Sequence, residues 1–533
     1  MGTYLNPRND NFLEMVNTGR YVDKTMLIEQ TNKRLFDPTF KFNCISRPRR
    51  FGKSIAGDML VAYYSKGADS KELFSQYKIA KTADFEKYLN KFNVIYIDLN
   101  AMNSNWQSCY PKEKKETTVI DYVTNRVCDD FRKQFSDIDF SEYNSIADFI
   151  QTVHEQRNEK FIIIIDEYDV LIREQVSEQE LDLYRSFLIS LFKNANIKTA
   201  IALAYLTGIL PIMKDKIQSK LNTFCPYNML SPNGFAEFVG FTSEEVSDLC
   251  KKYDCDLTLC KSWYDGYHLE DFDVYNPESV MNALVTKTFD SYWSGTSTYL
   301  VVADKININY EGTKDDVIAM LSGGSVSVDV EHYDNTFSNI LDKDDVFTFL
   351  IHLGYLAYDK KTRKCYIPNR EVNGEWQKAI KNNSDYAVKN KIIQDSENLL
   401  NATLAGDSET VAAALDKAHI HFTSNLSYNN EKSLQSAIYL AYIYALNNYT
   451  IIKERPTGKG YADIVYIPFD KTQTALIVEL KRNSSPETAL AQIKEKQYFE
   501  CLSTWQGDIL FVGVNYDETT KKHECKIEKF VKN

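Results

Sequence analysis

Three charged residues near the C-terminal end have the types and spacing for metal-assisted cleavage of a phosphodiester. Asp463 belongs to the β-rich run 460–464, and Glu479 and Lys481 belong to the apolar run 475–481. Two converging carboxylates suit Mg²⁺ or Mn²⁺, which prefer oxygen ligands. The Lys481 ammonium would stabilise charge on the phosphate, while the cation lowers the pKa of water. The three residues therefore indicate a nuclease site, with both carboxylates as metal ligands.

A β-hairpin is the element that has to position these side chains. The two runs are joined by a turn at 468–473, and strand alternation puts Glu479 and Lys481 on one face. Pairing across that turn sets Asp463 opposite Val478, so a bulge or a small register shift brings the carboxylates together. The alternative is a solvent-facing strand, on which alternating charges are common.

The flanking segments extend the hairpin into a larger unit. Helical spacing over 431–445 precedes it, and a helix over 486–502 and a strand over 509–514 follow it. Glu431 opens the first helix and would add a third carboxylate to the metal site. Gln492, in the second helix, is a further candidate for the site.

This order of elements resembles the core of the PD-(D/E)XK nuclease superfamily, and the motifs are similar to those of one bacterial branch of that superfamily. The matching motifs are Pro456–Asp463, Val478–Lys481 and Ala491–Lys496. The resemblance implies a restriction-endonuclease-like α/β core over 388–533 that cleaves DNA with a divalent cation.

A phosphate-binding loop is indicated near the other end of the chain. The segment Arg47–Ser54 follows an alternating stretch at 40–45 and precedes a helical run at 55–64. In such a loop the backbone and the helix N-terminus cradle phosphates. Arg47 stands where the general motif has its first glycine, so the entry turn cannot use glycine's freedom at positive φ.

The loop residues have separable expected roles. Lys53 would reach the β- and γ-phosphates of ATP, and Ser54 would hold Mg²⁺. The remaining cofactor-binding candidates are the loop residues Arg49, Arg50, Phe51 and Gly52.

An acidic strand end supplies the partner motif. The apolar run 161–165 is typical of a strand covered on both faces, and it ends in Asp166 and Glu167. Asp166 would bind Mg²⁺ through water, and Glu167 would be the catalytic residue that polarises the attacking water. Thr207, after another apolar strand, lies where a γ-phosphate sensor would be, although an ordinary polar loop residue fits as well. Strands alternating with helices predict a mostly parallel, doubly wound α/β sheet.

Several motifs of this half resemble the bacterial AAA-ATPase-like family that is commonly fused to a PD-(D/E)XK domain. They are Tyr21–Thr25, Arg47–Ser54, Phe161–Asp169, Leu206–Pro211, Trp263–Tyr267 and Val274–Pro277. The family also has arginine at the first glycine position. The resemblance implies an ATPase domain with a helical extension over 1–293, coupled to the nuclease-type domain in defence against, or maintenance of, mobile DNA.

The region between the two domains is predicted to be a winged-helix-like module over 298–382. Helical patterns are followed by a hairpin pattern over 354–368, with boundaries near 294–297 and 382–384. Such a module contacts DNA in some proteins and is a spacer in others, so no function is assigned to it.

Composition limits the class of protein. The chain has 533 residues, of which 44% are hydrophobic and 13% aromatic, so several folded domains are expected rather than disorder. No bilayer-spanning stretch or leader is apparent. Ten cysteines without paired spacing suit a reducing compartment. We therefore expect a cytoplasmic protein without a membrane partner.

The net charge of −12 argues against a general nucleic-acid binder, but binding depends on local potential. The basic residues near the two candidate sites are Arg47, Arg49, Arg50, Lys453, Arg455, Lys459, Lys481, Arg482, Lys494 and Lys496. DNA is the expected partner, although these residues also suit a solvated face. A homo-oligomer is left open, since many ATPases of this type hydrolyse at subunit interfaces.

The leading hypothesis is an ATP-dependent, Mg²⁺-requiring nuclease. The alternative is a nucleotide-switched regulator that binds nucleic acid or protein through a nuclease fold that does not cleave.

Overall fold

The computed structural model describes most of the chain. The described residues are 2–109, 117–174, 176–211, 223–293, 310, 312–321, 323–331, 333, 342–381, 387–422, 434, 437–439, 441–442, 444–445, 448–457, 460–468, 470, 472–502 and 505–530. They divide into two compact units, the first formed by Met1–Trp293 with Ser327–Asn369, and the second by Ser294–Val326 with Arg370–Asn533. The module predicted at 298–382 is thus divided between the two units, and the three-domain division stays a prediction.

The first unit is built on a parallel sheet. Its strands are β1 (Phe42–Ser46), β2 (Asn93–Asp98), β3 (Phe161–Asp166), β4 (Ile201–Gly208) and β5 (Cys225–Tyr227). They lie in the order β2-β3-β4-β1-β5, and every neighbouring pair is parallel. The isoleucines of β3 are buried on both faces, as expected for a central strand between helical layers. The predicted α/β class is confirmed.

The first unit also contains helices, several of which pack on this sheet. They are α1 (Asp10–Asn17), α2 (Met26–Asn32), α3 (Lys53–Tyr64), α4 (Lys71–Ser75), α5 (Phe85–Tyr88), α6 (Leu99–Cys109), α7 (Val119–Gln134), α8 (Ile146–Arg157), α9 (Val170–Arg173), α10 (Glu178–Phe192), α11 (Ala195–Lys198), α12 (Ser243–Tyr253), α13 (Leu257–Tyr264) and α14 (Pro277–Thr286). Side chains cap several of them: Thr118 and Ser177 each form a capping box with an acidic residue three positions later.

Short strands that form two small sheets follow the parallel sheet along the chain. The strands are β6 (Phe241–Thr242), β7 (Tyr267–Leu269), β8 (Phe272–Tyr275), β9 (Val326–Ser327), β10 (Ala357–Asp359) and β11 (Lys364–Tyr366). β10 and β11 form the hairpin predicted for the middle region, with Ala357 opposite Tyr366. The winged-helix interpretation itself stays a prediction.

The second unit contains a mixed sheet in strand order β12-β13-β14-β15-β16. Its strands are β12 (Tyr449–Thr457), β13 (Gly460–Pro468), β14 (Ala475–Arg482), β15 (Ile509–Asp517) and β16 (Lys522–Phe530). β14 and β15 are parallel, and the other neighbours are antiparallel.

The predicted register of the β13–β14 hairpin is wrong by one residue. Ile464, not Asp463, lies opposite Val478. The reason is the length of β13, which continues to Pro468 because that residue pairs with Tyr449 of β12, so the turn is shorter than predicted. The shift sets Asp463 level with Glu479.

Helices pack on both faces of this sheet. The helices from residue 313 onward are α15 (Thr313–Leu321), α16 (Lys343–Leu353), α17 (Arg370–Lys381), α18 (Ala387–Leu404), α19 (Ser408–Phe422) and α20 (Pro486–Glu495). α16 belongs to the first unit. Leu399 and Leu415 of α18 and α19 pack on one face of the sheet, and Leu490 and Ile493 of α20 pack on the other. The helix predicted over 486–502 ends early, because Gln497 has a left-handed backbone with φ 56° and a short 3₁₀ turn follows.

Among the described residues, no helix is both long enough and apolar enough to cross a bilayer.

Candidate functional site

The loop between β1 and α3 has the backbone conformation of a tight anion-binding turn. Gly52 precedes the first residue of α3 and has φ 87°, and Arg50 has φ 68°. Glycine occupies such a conformation without a Cβ penalty, whereas a non-glycine residue there is uncommon. Phe51 is buried and its ring contacts that of Tyr267 at 5.5 Å. The loop is therefore held by packing as well as by its glycine.

Arg47, at the start of the loop, bonds to backbone carbonyls of neighbouring segments. Its guanidinium is fully buried and donates hydrogen bonds to the carbonyls of Ser46, Tyr227 and Phe235 at 2.9, 3.3 and 3.3 Å. Burial lowers the pKa of Arg47 to about 10. The arginine at the first glycine position thus joins β1 to β5 and to the chain that follows it, a role that its place in the motif did not predict.

Lys53 is buried at the start of α3. Its Nζ donates to the carbonyl oxygen of Pro48 at 2.8 Å. Burial lowers the pKa of Lys53, and the nearby carboxylates of Glu167 and Asp166 oppose that shift. Next to it, Ser54 is exposed. The ammonium of Lys53 thus contacts the predicted phosphate-binding loop. The carboxylates of Glu167 and Asp166 are close enough to act on its pKa.

These two carboxylates lie at the carboxyl end of β3, beside the end of β2. Asp98 of β2 pairs in register with Asp166 of β3. Asp166 is buried and its Oδ1 accepts a hydrogen bond from Oγ1 of Thr207, which is at the end of β4. Thr207, the predicted γ-phosphate sensor, is therefore already bonded to the predicted magnesium ligand.

Glu167 is held in an unusual position. Its backbone has φ 53°, and its Oε2 forms an ion pair with the guanidinium of Arg173. Burial raises the pKa of Glu167, while the charges of Lys53 and Arg173 lower it. Arg173 also donates from Nε to Asp169 Oδ2 at 3.0 Å. Neither Arg173 nor Asp169 was assigned a role from the sequence, because only the fold brings them to Glu167.

A cavity of about 540 Å³ opens beside the loop. Gly52, Lys53, Ser54 and Glu167 line one part of it. Apolar and aromatic side chains also line it: Met15, Tyr21, Val22, Met59, Phe238, Phe241 and Met281. A polar end and an apolar remainder of this size suit a nucleotide, with phosphates at the loop and a base against the apolar part.

Arg49 and Arg50, both predicted to bind the cofactor, have different surroundings, and their role stays a prediction. Arg50 lines the cavity, but it donates to Glu278 Oε1 at 2.7 Å and to the carbonyl of Tyr292 at 2.8 Å. Arg49 is exposed and is not part of the cavity lining.

In the second unit, the carboxylates of the hairpin converge. Beyond the Ile464–Val478 pair the β13–β14 register ends, and the Leu480 N–H donates to Asp463 Oδ2 at 2.8 Å. Alternation along both strands puts Asp463, Glu479 and Lys481 on the face that α20 covers. The predicted trio therefore lies on one face of the sheet.

Glu479 is the centre of this cluster. Its side chain is 2% exposed, and its Oε1 accepts from Lys481 Nζ at 3.0 Å and from Gln492 Nε2. Gln492 also donates to the hydroxyl of Tyr498 at 3.0 Å. Tyr498, on the 3₁₀ turn after α20, was also assigned no role from the sequence, since a continuous helix was expected there.

One oxygen of the cluster is left over. Glu479 Oε2 is buried and has no hydrogen-bond partner among the described residues. Burial and the neighbouring Asp463 raise the pKa of Glu479 to about 7, although Lys481 opposes the shift. A buried carboxylate oxygen without a partner is costly, and a cation beside it would remove that cost.

The donor set therefore fits Mg²⁺ or Mn²⁺, with Asp463 and Glu479 as the protein ligands. Within the part of the chain that the structure describes, no three His, Cys, Asp or Glu side chains converge as a complete ligand set. Glu431, the predicted third carboxylate, lies outside the described residues, as does Lys459.

The basic residues near this cluster are partly neutralised. Arg482 forms an ion pair with Glu518, and Lys494 forms one with Glu528. Among the described side chains, Lys481 contacts the carboxylate cluster directly.

Comparison with known families agrees with both halves of this description. A family model described as Predicted AAA-ATPase matches residues 9–218, and one described as PD-(D/E)XK nuclease superfamily matches residues 429–526. The molecule thus joins an ATPase-type domain to a nuclease-type domain. The two matches confirm the resemblance to these families that the motifs predicted.

Individual relatives are distant. An uncharacterized protein in the vnfD 5′ region of Azotobacter chroococcum mcd 1 is 26% identical over 297 residues, which cover 53% of this chain and 52% of that relative. The chain thus spans about half the length of the curated relative that it matches. Among solved structures, the Aeropyrum pernix ORC2 protein, in ADPNP–ADP complexes, matches 67% of this chain and 93% of its own at 11% identity and a TM-score of 0.28.

Proposed function

We propose that this protein binds and hydrolyses ATP in its first unit and cleaves DNA, with Mg²⁺ or Mn²⁺, in its second. The observation that carries the proposal is the convergence of Asp463, Glu479, Lys481 and Gln492, with one buried oxygen of Glu479 left for a cation. An alternating surface strand would not place a carboxylate at 2% exposure.

The nucleotide site is supported by the loop and its cavity. Lys53 and Ser54 would bind the phosphates and Mg²⁺, with Asp166 behind them as an indirect magnesium ligand. Glu167 lines the same cavity and would orient and deprotonate the attacking water. The apolar part around Tyr21 would take the base.

The nuclease site has a separate division of labour. A bound cation supplies positive charge beside the scissile phosphate and acidifies water. Lys481 would stabilise the negative charge that develops on the phosphate. Gln492, bonded to both Glu479 and Tyr498, would hold the carboxylate in its ligating orientation.

The biological proposal follows the resemblance. A nucleotide-regulated DNA nuclease suits the control of mobile DNA or defence against it in the cytoplasm. Coupling between the two activities would make ATP the signal that permits cleavage.

The test is cleavage of supercoiled plasmid and of single-stranded DNA with Mg²⁺ or Mn²⁺, with and without ATP. Wild type is compared with Asp463→Asn and Lys53→Ala. The matched controls are Asp470→Asn, an exposed turn aspartate that bonds Thr472, and Lys33→Ala, whose exposed side chain pairs with Glu29. We expect Asp463→Asn to lose cleavage and Lys53→Ala to lose the effect of ATP, with both controls like wild type.

Two results would redirect the proposal. DNA that is retained in a nucleotide-dependent way without Asp463-dependent cleavage would favour a regulator with a non-cleaving nuclease fold. Indifference to DNA combined with Lys53-dependent ATP binding would favour a protein that acts on protein partners.

A further inference from the structure

The short segment after β3 brings Arg173 into contact with Glu167, the second acidic residue at the end of that strand. From Asp166 the chain turns through Glu167, and the single-turn helix α9 returns Arg173 to it. A non-glycine residue with φ 53° costs free energy, and such outliers cluster at functional sites. The ion pair of Glu167 with Arg173 thus closes a small loop at the edge of the cavity.

One end of this arginine is anchored. Asp169 is fully buried, and its Oδ2 accepts from the Ile209 and Leu210 amides at 3.1 and 2.8 Å as well as from Arg173 Nε at 3.0 Å. Gly208, at the end of β4, makes room for it, because a Cβ there would lie 2.6 Å from Asp169 Oδ1. The anchor is therefore built into the edge of the central sheet.

The other end of the arginine contacts a residue of the cavity lining. Its terminal guanidinium nitrogen contacts Glu167, whose side chain is 22% exposed and lines the cavity beside Lys53 and Ser54. The charges of Glu167 and Arg173 both act on the pKa of Lys53, so the pair lies close to the lysine that would reach the β- and γ-phosphates. The charge of a terminal phosphate bound by Lys53 would therefore act on Arg173 as well.

We propose that Arg173 is the residue that senses the γ-phosphate in this chain, exchanging its ion pair with Glu167 for one with the triphosphate. The inference rests on the proposed nucleotide site and adds a residue to it. In this structure Arg173 neutralises and occupies Glu167. A γ-phosphate carries more negative charge than the Glu167 carboxylate and competes for the guanidinium, with which it can form a two-point contact. Asp169 keeps Arg173 in place during the exchange, and Glu167 is released to orient water only when a triphosphate is bound.

The test is a double-mutant cycle on nucleotide affinity, with hydrolysis excluded. Binding of ADP and of a non-hydrolysable imido analogue of ATP, each with Mg²⁺, is measured calorimetrically for the full-length wild type, Glu167→Gln, Arg173→Gln and the double variant. Arg185→Gln is the matched control, since Arg185 also pairs with acidic residues on the same domain but lies on α10. ADP affinity and a thermal melt report folding, and Arg173→Lys replaces Arg173→Gln if the latter does not fold.

We expect Glu167→Gln to tighten binding of the triphosphate analogue by about tenfold and to leave ADP unchanged, because the competing ion pair is gone. Arg173→Gln should weaken only the triphosphate. In the Arg173→Gln background, Glu167→Gln should then add nothing, which identifies coupling between the two residues.

Two outcomes would overturn the inference while leaving the nucleotide site intact. One is a gain in triphosphate affinity from Glu167→Gln that persists in the Arg173→Gln background. Such a gain would come only from the lost repulsion between the Glu167 carboxylate and a phosphate. The other is an equal loss of ADP and triphosphate binding in Arg173→Gln, which marks a structural role. If wild type and Lys53→Ala bind both nucleotides equally poorly, the proposed function fails along with the inference.

Discussion

The two candidate sites differ in how their charges are satisfied. In the first unit the charged groups that face the cavity have protein partners: Lys53 bonds a loop carbonyl, Asp166 accepts from Thr207, and Glu167 pairs with Arg173. Behind them, Asp169 Oδ2 is bonded, while its Oδ1 is buried without a partner among the described residues. In the second unit one buried oxygen of Glu479 has none among the described residues. A ligand at the first site must therefore exchange with existing bonds, whereas a cation at the second completes a set that the protein leaves open.

This difference has a consequence for stability. We call the bonded groups of the first site, which include Glu167, Arg173 and Asp169, the closed set, and the carboxylates of the second site the open set. Removing a member of the closed set leaves its buried partners without hydrogen bonds, which lowers the free energy of unfolding. Removing the charge from the open set relieves a penalty that the folded protein bears without a cation. The same kind of substitution should therefore act in opposite directions in the two units.

The largest effect is expected when the closed set is broken at its anchor. Asp169→Ala removes the acceptor of two amides and of Arg173, so we expect the free energy of unfolding to fall by about 3 kcal/mol. Urea denaturation measures it. The control is Asp182→Ala, an exposed partner of Arg185, for which a change within about 0.5 kcal/mol is expected. Equal effects of the two substitutions would contradict the closed arrangement.

Removing a charge from the open set should raise the free energy of unfolding instead of lowering it. The folded-state pKa of Glu479 is raised to about 7, so the folded protein holds its proton more tightly and loses stability as pH rises from the ordinary pKa of glutamate through about 7. That loss amounts to about 3 kcal/mol by pH 8 in the presence of a chelator. Glu479→Gln should abolish it.

Urea denaturation at pH 5 and pH 8 checks this prediction. Glu487→Gln is the control, because Glu487 is an exposed partner of Lys526, and it should leave the pH dependence unchanged. If the free energy of unfolding of the wild type does not decrease from pH 5 to pH 8 relative to that of Glu479→Gln, the charge of the buried carboxylate is already stabilised by the protein.

The lysine of the open set should affect catalysis more than folding. Lys481→Met removes the ammonium that faces the carboxylates, and we expect DNA cleavage to slow by about a hundredfold because charge on the phosphate is no longer stabilised. The control is Lys529→Met, an exposed lysine that pairs with Asp508 on the same sheet. A similar rate in both variants would remove Lys481 from the catalytic group.

The smallest effect concerns the helix that carries Gln492. A Cβ on Gly513 of β15 would lie 2.4 Å from the carbonyl oxygen of Pro486, so Gly513→Ala should displace α20 and cost about 1–3 kcal/mol. Gly374→Ala in α17 is the control, because a Cβ there would meet no described atom within 4 Å. It should be neutral or stabilise the helix by up to about 1 kcal/mol. Thermal melts that rank the two substitutions the other way would refute close packing of α20.

Much of the fold was predictable because its signals are local. The isoleucines of β3 and the Gly-Lys-Ser at 52–54 mark a buried strand and a loop without reference to the rest of the chain. In the second unit, alternation alone puts Glu479 and Lys481 on one face of β14. Strand β16 was not predicted, since an edge strand with many charged residues lacks the apolar alternation of a half-buried strand.

The contacts that define the sites were less predictable. The one-residue register error at Asp463 arose because the pairing of Pro468 with β12 is a long-range contact that the turn sequence does not contain. Arg173 and Asp169 meet Glu167 only through the geometry of α9 and the end of β4. Tyr498 reaches Gln492 because the chain leaves the helix at Gln497, whose positive φ no residue pattern indicated.

The most direct measurement is binding of Mn²⁺ to the full-length protein without nucleotide, followed by electron paramagnetic resonance. The central claim is that a divalent cation completes the carboxylate set of Asp463 and Glu479. We expect Mn²⁺ to be bound by wild type, Asp470→Asn and Lys53→Ala, and binding to be lost in Asp463→Asn and Glu479→Gln. Mn²⁺ binding that is the same in Asp463→Asn as in wild type would contradict the account.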